Sequence, residues 1–282
     1  MNKIAIVTDS SCDLPQELIS SLGVHLLPLR IIYKDREYRD RVEITPEEIY
    51  ARFSEEIPKS SLPSPEDAVK LFSGLIEQGY THIIGIFISS GLSGTFNMVR
   101  SVTEDMKQAV IELVDSKNLS MGAGFAVLET ARELARTGDF DKALAKTRDA
   151  VTRAKTFYVI KTLEYLRKGG RIGLVEGTIG DLLNIKPIIS VNEEGVYYTH
   201  RKVRGRSKSV QELVAIGQEV MQGRRYDIAI VHGNAPEEAR TVFDQFRAMA
   251  NVREMFFDQI SPVLAVHTGP GLVGMILSEV AE

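Results

Sequence analysis

Cysteine is nearly absent from this chain. Cys12 is the only one in 282 residues, so it has no partner for an internal disulfide, and a reducing compartment is favoured. Long hydrophobic runs are also missing: no apolar run approaches the ~20 residues that span a bilayer, because Gly, His or Pro interrupts the longest candidates. Residues 4–7 are the only consecutive apolar ones near the N-terminus, too few for the apolar part of a signal peptide, so 3–8 is expected to form a first strand. The expected location is cytoplasmic, with no transmembrane segment. Nucleotide signatures are lacking, since neither GxxxxGK[ST] nor GxGxxG occurs. The histidines His25, His82, His200, His232 and His267 have no metal-ligand spacing, so neither a metal nor a cofactor is expected. No internal repeat, low-complexity tract or linker-like stretch is found. A formal net charge of -4 weighs against a protein that coats nucleic acid.

Hydrophobic content of 44% and charged content of 26% are ordinary for a globular chain, and the length leaves room for two domains. Short apolar runs at 3–8, 24–33, 82–88 and 110–114 alternate with amphipathic segments, the pattern of a mainly parallel sheet flanked by helices. Thr45-Pro46-Glu47-Glu48 and Ser64-Pro65-Glu66-Asp67 mark helix starts, each with Pro at the first helical position. Helices are expected over 94–107, 118–136 and 141–154. Beyond residue 155 strands become more numerous, at 156–161, 187–191, 196–200, 228–232, 254–257 and 263–267, with a hairpin turn at Glu193-Glu194-Gly195. The expectation is an α/β protein of two domains: an N-terminal α/β domain over 1–155 and a C-terminal α+β domain with a partly antiparallel sheet over 156–282.

Three loops carry the chemistry. Val266-His267-Thr268-Gly269-Pro270-Gly271 joins an imidazole to an open backbone, while Ser60-Ser61-Leu62-Pro63-Ser64-Pro65 and Ser89-Ser90-Gly91-Leu92-Ser93-Gly94-Thr95 offer hydroxyls and bare N–H groups. Such groups hold an oxyanion without bulky side chains in the way, which points to a carboxylate or phosphate site. The 89–95 loop lies at the C-terminal end of a strand, where open α/β sheets bind ligands. It equally reads as a strand-to-helix turn with Ser93 as N-cap. It is not a nucleophile elbow, because Thr95 stands where G-x-S-x-G needs Gly. Asp13, two residues before Pro15, reads as a helix N-cap. Gly169 or Gly170 reads as the C-cap of a helix over 163–167, leaving Arg171 to point into a cleft. Arg201-Lys202-Val203-Arg204-Gly205-Arg206-Ser207-Lys208 holds five basic residues in eight. Lacking interleaved aromatics, it suits an acidic protein partner better than nucleic acid.

Taken in order, residues 8–14, 60–65, 89–96, 163–172, the basic run and 267–271 resemble the DegV family of bacterial fatty-acid-binding proteins, over nearly the whole chain. The resemblance implies a two-domain α/β protein that holds one long-chain fatty acid, with its carboxylate near the domain junction and its tail buried. It further implies a non-enzymatic role: the acid is presented to a fatty acid kinase, which makes the acyl phosphate for phospholipid metabolism. By position, Ser60 stands where the family usually has Thr, and Leu62 departs from the usual Gln. Ser93 and Gly94 match the residues that donate to the carboxylate, and His267 matches the histidine beside it. Ser61, Ser90 and Thr268 complete the expected head-group set. Arg171, Arg201 and Arg204 match basic positions associated with the head-group end and with kinase docking. Two alternatives remain open: an acyl-ester hydrolase using Ser93 with His267, which lacks an identifiable acid partner, and a regulator binding nucleic acid through the basic run.

Overall fold

The computed structural model describes residues 2–178 and 184–281. In chain order the first elements are β1 (Ile4–Asp9), α1 (Gln16–Ser21), β2 (Val24–Leu27), β3 (Arg30–Ile32), β4 (Glu37–Arg39), α2 (Pro46–Arg52), β5 (Lys59–Ser61) and α3 (Pro65–Glu77). They are followed by β6 (His82–Phe87), α4 (Thr95–Thr103), β7 (Val110–Asp115), α5 (Met121–Thr137), α6 (Phe140–Arg153), β8 (Ala154–Val159) and α7 (Glu164–Lys168). Then come β9 (Ile185–Val191), β10 (Tyr197–Arg204), α8 (Arg206–Met221), β11 (Tyr226–Gly233), α9 (Pro236–Arg247), β12 (Val252–Gln259), α10 (Pro262–Thr268) and β13 (Leu272–Glu279). Short 3-10 turns occupy Ser10–Cys12 and Gly173–Thr178.

A four-stranded sheet of order β2-β1-β6-β7 is parallel throughout, and β1 is buried on both faces, as parallel strands covered by helices must be. A six-stranded sheet of order β10-β9-β8-β13-β11-β12 is antiparallel at every pairing except β11 with β12. A small antiparallel sheet, β4-β3-β5, lies beside them. The chain is therefore α/β, with one parallel and one mixed sheet. Between the two large sheets runs α5, whose residues 121–131 are all buried and which contacts β1, β6, β8 and β13. One apolar core accordingly joins Ile6 and Ile84 of the parallel sheet, through Phe125, to Tyr158, Ala229 and Ile276 of the mixed one.

Local signals explain most element ends. Thr45 and Glu48 form a reciprocal capping box, and Ser64 accepts from Asp67 N–H at 3.1 Å. The 193–195 turn closes β9 onto β10 as expected. Three expectations fail for physical reasons. The run over 24–33 is not one strand: Pro28 cannot donate to a ladder, and the chain leaves β2 of the parallel sheet to enter β3 of the small one. Residues 263–267 form helix, not strand, because Ser261-Pro262 supplies a helix start and Gly269 a stop, at φ 66. Asp13 caps nothing at α1, whose N-cap is Pro15. It turns inward at φ 49 and accepts hydrogen bonds from Ser120 Oγ and Ser261 N–H.

Candidate functional site

β5 sits at the edge of the small sheet, with Ser60 opposite Ile31 and Ser61 opposite Arg30. That pairing delivers Ser60 Oγ to 2.6 Å from His267 Nε2 on α10. His267 is buried, and its Nδ1 has no hydrogen-bond partner among the described residues. It faces the backbone of Gly169, where a methyl group would stand 2.2 Å away. Burial, reinforced by the Arg171 charge, holds its pKa down at about 3, so the ring is neutral at neutral pH. Gly169 caps α7 and Gly170 follows it at φ 68, which turns Arg171 back so that Nη1 donates to Gly169 O at 2.8 Å. Arg171 thus stands beside the imidazole as the nearby positive charge.

The 89–94 loop closes the other side. Ser93 N–H is taken by Ser89 O at 3.0 Å, so Ser93 presents its hydroxyl, which accepts weakly from Thr95 N–H at 3.3 Å and lies 2.9 Å from Thr95 Oγ1. The N-cap of α4 is Gly94, not Ser93. A cavity of about 120 Å³ lies between these elements, lined by the polar Ser60, Ser61, Ser93, Gly94, Arg171, His267 and Thr268 together with the apolar Leu29, Ile88, Leu92 and Leu264. Leu62 lines it too, and a methyl on Gly94 would meet only Leu62 Cδ2, at 3.8 Å. Leu264 and Thr268 also border a narrow apolar space of about 20 Å³ against Leu119, just before α5, and Tyr158, Val231 and Ile276 of the mixed sheet. Outward, Ser60, Arg171 and His267 are shared with an open cleft of about 890 Å³ that also holds Lys34, Lys59, Lys168, Tyr33 and Tyr165. A polar throat therefore stands between an open cleft and an apolar interior.

Most of the expected head-group residues meet here, with two sets placed elsewhere. Ser90 does not line the cavity: its N–H donates to Asp115 Oδ1 at 3.1 Å and its hydroxyl accepts from Lys117 Nζ at 3.3 Å. Arg201 and Arg204 lie on β10, away from the cavity lining, and Arg201 is ion-paired with Glu212 at 2.5 Å and Glu219 at 2.8 Å. No hydrogen bond joins Ser93 to His267, whose hydroxyl partner is Ser60. Tyr197, Leu29 and Leu264 are lining residues that inspection of the sequence missed. Among the described residues no cluster of His, Cys, Asp and Glu could hold a metal ion, and no helix is long and apolar enough to cross a membrane.

A family model described as "Uncharacterised protein, DegV family" matches residues 3–280. The chain belongs to the DegV family. DegV domain-containing proteins of Clostridium acetobutylicum and Clostridium perfringens are 43% and 44% identical to it, covering 99% of this chain and 100% and 99% of theirs. Among solved DegV structures, a fatty-acid-binding protein of Thermus thermophilus matches with TM-score 0.92 and 30% identity, covering 99% of this chain and 100% of that one. A fatty-acid-binding DegV protein of Streptococcus agalactiae matches with TM-score 0.89 and 30% identity, covering 100% of both chains. A stearic-acid-binding protein of Eubacterium ventriosum matches with TM-score 0.85 and 27% identity, covering 99% of this chain and 98% of that one.

Proposed function

We propose that this DegV protein binds one long-chain fatty acid and presents its carboxylate to a fatty acid kinase, without itself catalysing a reaction. The observation that carries the reading is the polar throat: hydroxyls of Ser60 and Ser93, the Gly94 backbone, His267, Thr268 and the Arg171 charge line one cavity, and Leu264 and Thr268 are shared between it and an apolar space. A carboxylate in that throat accepts hydrogen bonds while its tail passes Leu264 toward the apolar space against the mixed sheet. Each buried methylene is worth ~0.8 kcal/mol, so about fifteen contribute on the order of 12 kcal/mol gross, and the tail dominates affinity. The head group needs only to avoid an unpaired buried charge. The spaces of about 120 and 20 Å³ are too small for a whole acyl chain, so the pocket widens on loading. In this reading 1–155 and 156–282 are two domains that share the ligand, and the protein works in the cytoplasm. The hydrolase alternative fits less well, because a ring with pKa about 3 is a poor general base at neutral pH and its Nδ1 has no carboxylate to orient it.

Organic extraction of freshly purified protein followed by lipid analysis tests the binding. Near-stoichiometric long-chain acid, or uptake of added oleate, is expected, and the absence of both would defeat the proposal. The hand-off rests on Lys202, Arg204 and Lys208, which are exposed, whereas Arg201 already has two glutamates. Charge reversal at Lys202 and Arg204 is expected to leave bound lipid in place and to slow acyl-phosphate formation when kinase and ATP are supplied. Loss of lipid from that variant would instead assign the basic run to the pocket.

A further inference from the structure

The helix that carries His267 is not capped by its own sequence. α10 starts at Pro262, which has no N–H, and Ser261 before it makes no side-chain capping bond. Its first donors go to carboxylates far away in the chain: Ser261 N–H to Asp13 Oδ1 at 2.8 Å, and Val263 N–H to Asp40 Oδ1 at 2.9 Å. Both aspartates are buried, 4% and 0% exposed, and neither lines the cavity. Each is anchored in turn. Asp13 Oδ2 accepts from Ser120 Oγ at 2.5 Å at the start of α5, and Asp40 N–H donates to Leu29 O at 2.9 Å. A seven-residue helix is not stable by itself, so its place is set by such tertiary anchors. The Ser60–His267 hydrogen bond at 2.6 Å, at the opposite end of α10, is lost if the helix shifts by about 1 Å.

We propose that Asp13 and Asp40 are positioning residues for the acid site: by holding the first turn of α10, they set where His267 and Thr268 stand against Ser60 and Ser93. The effect on ligand rests on the fatty-acid reading above, whereas the effect on His267 geometry does not. Asp40→Ala leaves a buried N–H unsatisfied, and Asp40→Asn keeps a carbonyl acceptor for it.

The test records imidazole nitrogen NMR signals of His267 in the ligand-free protein, together with oleate affinity, for wild type, Asp40→Ala and Asp40→Asn. In folded Asp40→Ala, the His267 signals should lose the signature of the Ser60 hydrogen bond and oleate should bind about 10-fold more weakly, with Asp40→Asn restoring both. A purely structural role would lower thermal stability while the His267 signals and the affinity stay as in wild type, and that result overturns the proposal. Should Asp40→Ala not fold, Ser120→Ala, which frees Asp13, carries the same test, and unshifted His267 signals are again the overturning result. If wild type itself takes up no oleate, the fatty-acid reading fails, and the imidazole signals still decide the positioning role.

Discussion

Ser60 serves two partners in turn: His267 Nε2 at 2.6 Å in the free protein, and the acid oxygen in the proposed complex. The Ser93 hydroxyl keeps only local bonds to Thr95 in the free protein, and in the proposed complex it meets the acid. Removing one hydrogen bond to a charged acceptor costs about 1.5–3 kcal/mol, so Ser93→Ala is expected to weaken fatty-acid binding roughly 10- to 100-fold with stability unchanged. Ser60→Ala should lose affinity and also stability, by about 1–3 kcal/mol, because it strands a buried imidazole nitrogen. Calorimetric titration and denaturant unfolding of both variants check this, and equal stability losses would mean that Ser93 is structural too. Hydroxyls and glycines in loops made Ser60, Ser93, Gly94 and His267 legible from sequence. Leu29, Leu264 and Tyr197 were not, since an apolar residue facing a cavity reads like any core residue. Asp13 and Asp40 were hidden for another reason: their partners lie 248 and 223 residues away.

At the scale of elements, the β9–β10 hairpin reaches across to the parallel sheet. Ser89 Oγ donates to Gly195 O at 2.8 Å, and Gly195, at φ 80, has no room for a methyl, which would stand 1.9 Å from that oxygen. Gly195→Ala is therefore expected to cost about 2–4 kcal/mol, from the left-handed backbone and from displacing the loop that carries Ser93. A lowered urea midpoint at unchanged slope checks it. Period and punctuation made β1, β6, β7, α5 and α6 legible within a few residues. α10 was misread because four consecutive apolar residues fit strand and helix alike, and only Ser261-Pro262 and Gly269 separate the two. The break at Pro28 was legible in principle; which sheet takes each half was not, because that depends on distant strands.

For the whole molecule, buried titratable groups pull stability in opposite directions with pH. Burial raises the carboxyl of Asp40 from 3.8 to about 7 and that of Asp13 from 3.8 to about 6, so the folded state holds protons that the unfolded state has released. Their contribution is thus fully present below pH 4 and is lost as pH rises through 7. His267, lowered from 6.5 to about 3, contributes stability above pH 6.5 that is lost as pH falls toward 3. Asp40→Asn is expected to flatten the decline between pH 4 and 7, measured as unfolding midpoint against pH, while an unchanged slope would show that Asp40 titrates normally. A different consequence follows from β13, which lies between β8 and β11 and pairs with both along its length. On the ribosome, chain order is time order. β8, β9 and β10 emerge as one antiparallel group and β11 with β12 as a parallel pair, and among the described residues β13 is the strand that joins them. Until residues 272–279 are made, β8 and β11 each offer an unpaired apolar edge to any neighbouring strand. His267 is synthesised just before that moment, so a chain cut after the site but before 272 keeps every site residue and yet exposes two strand edges to other chains.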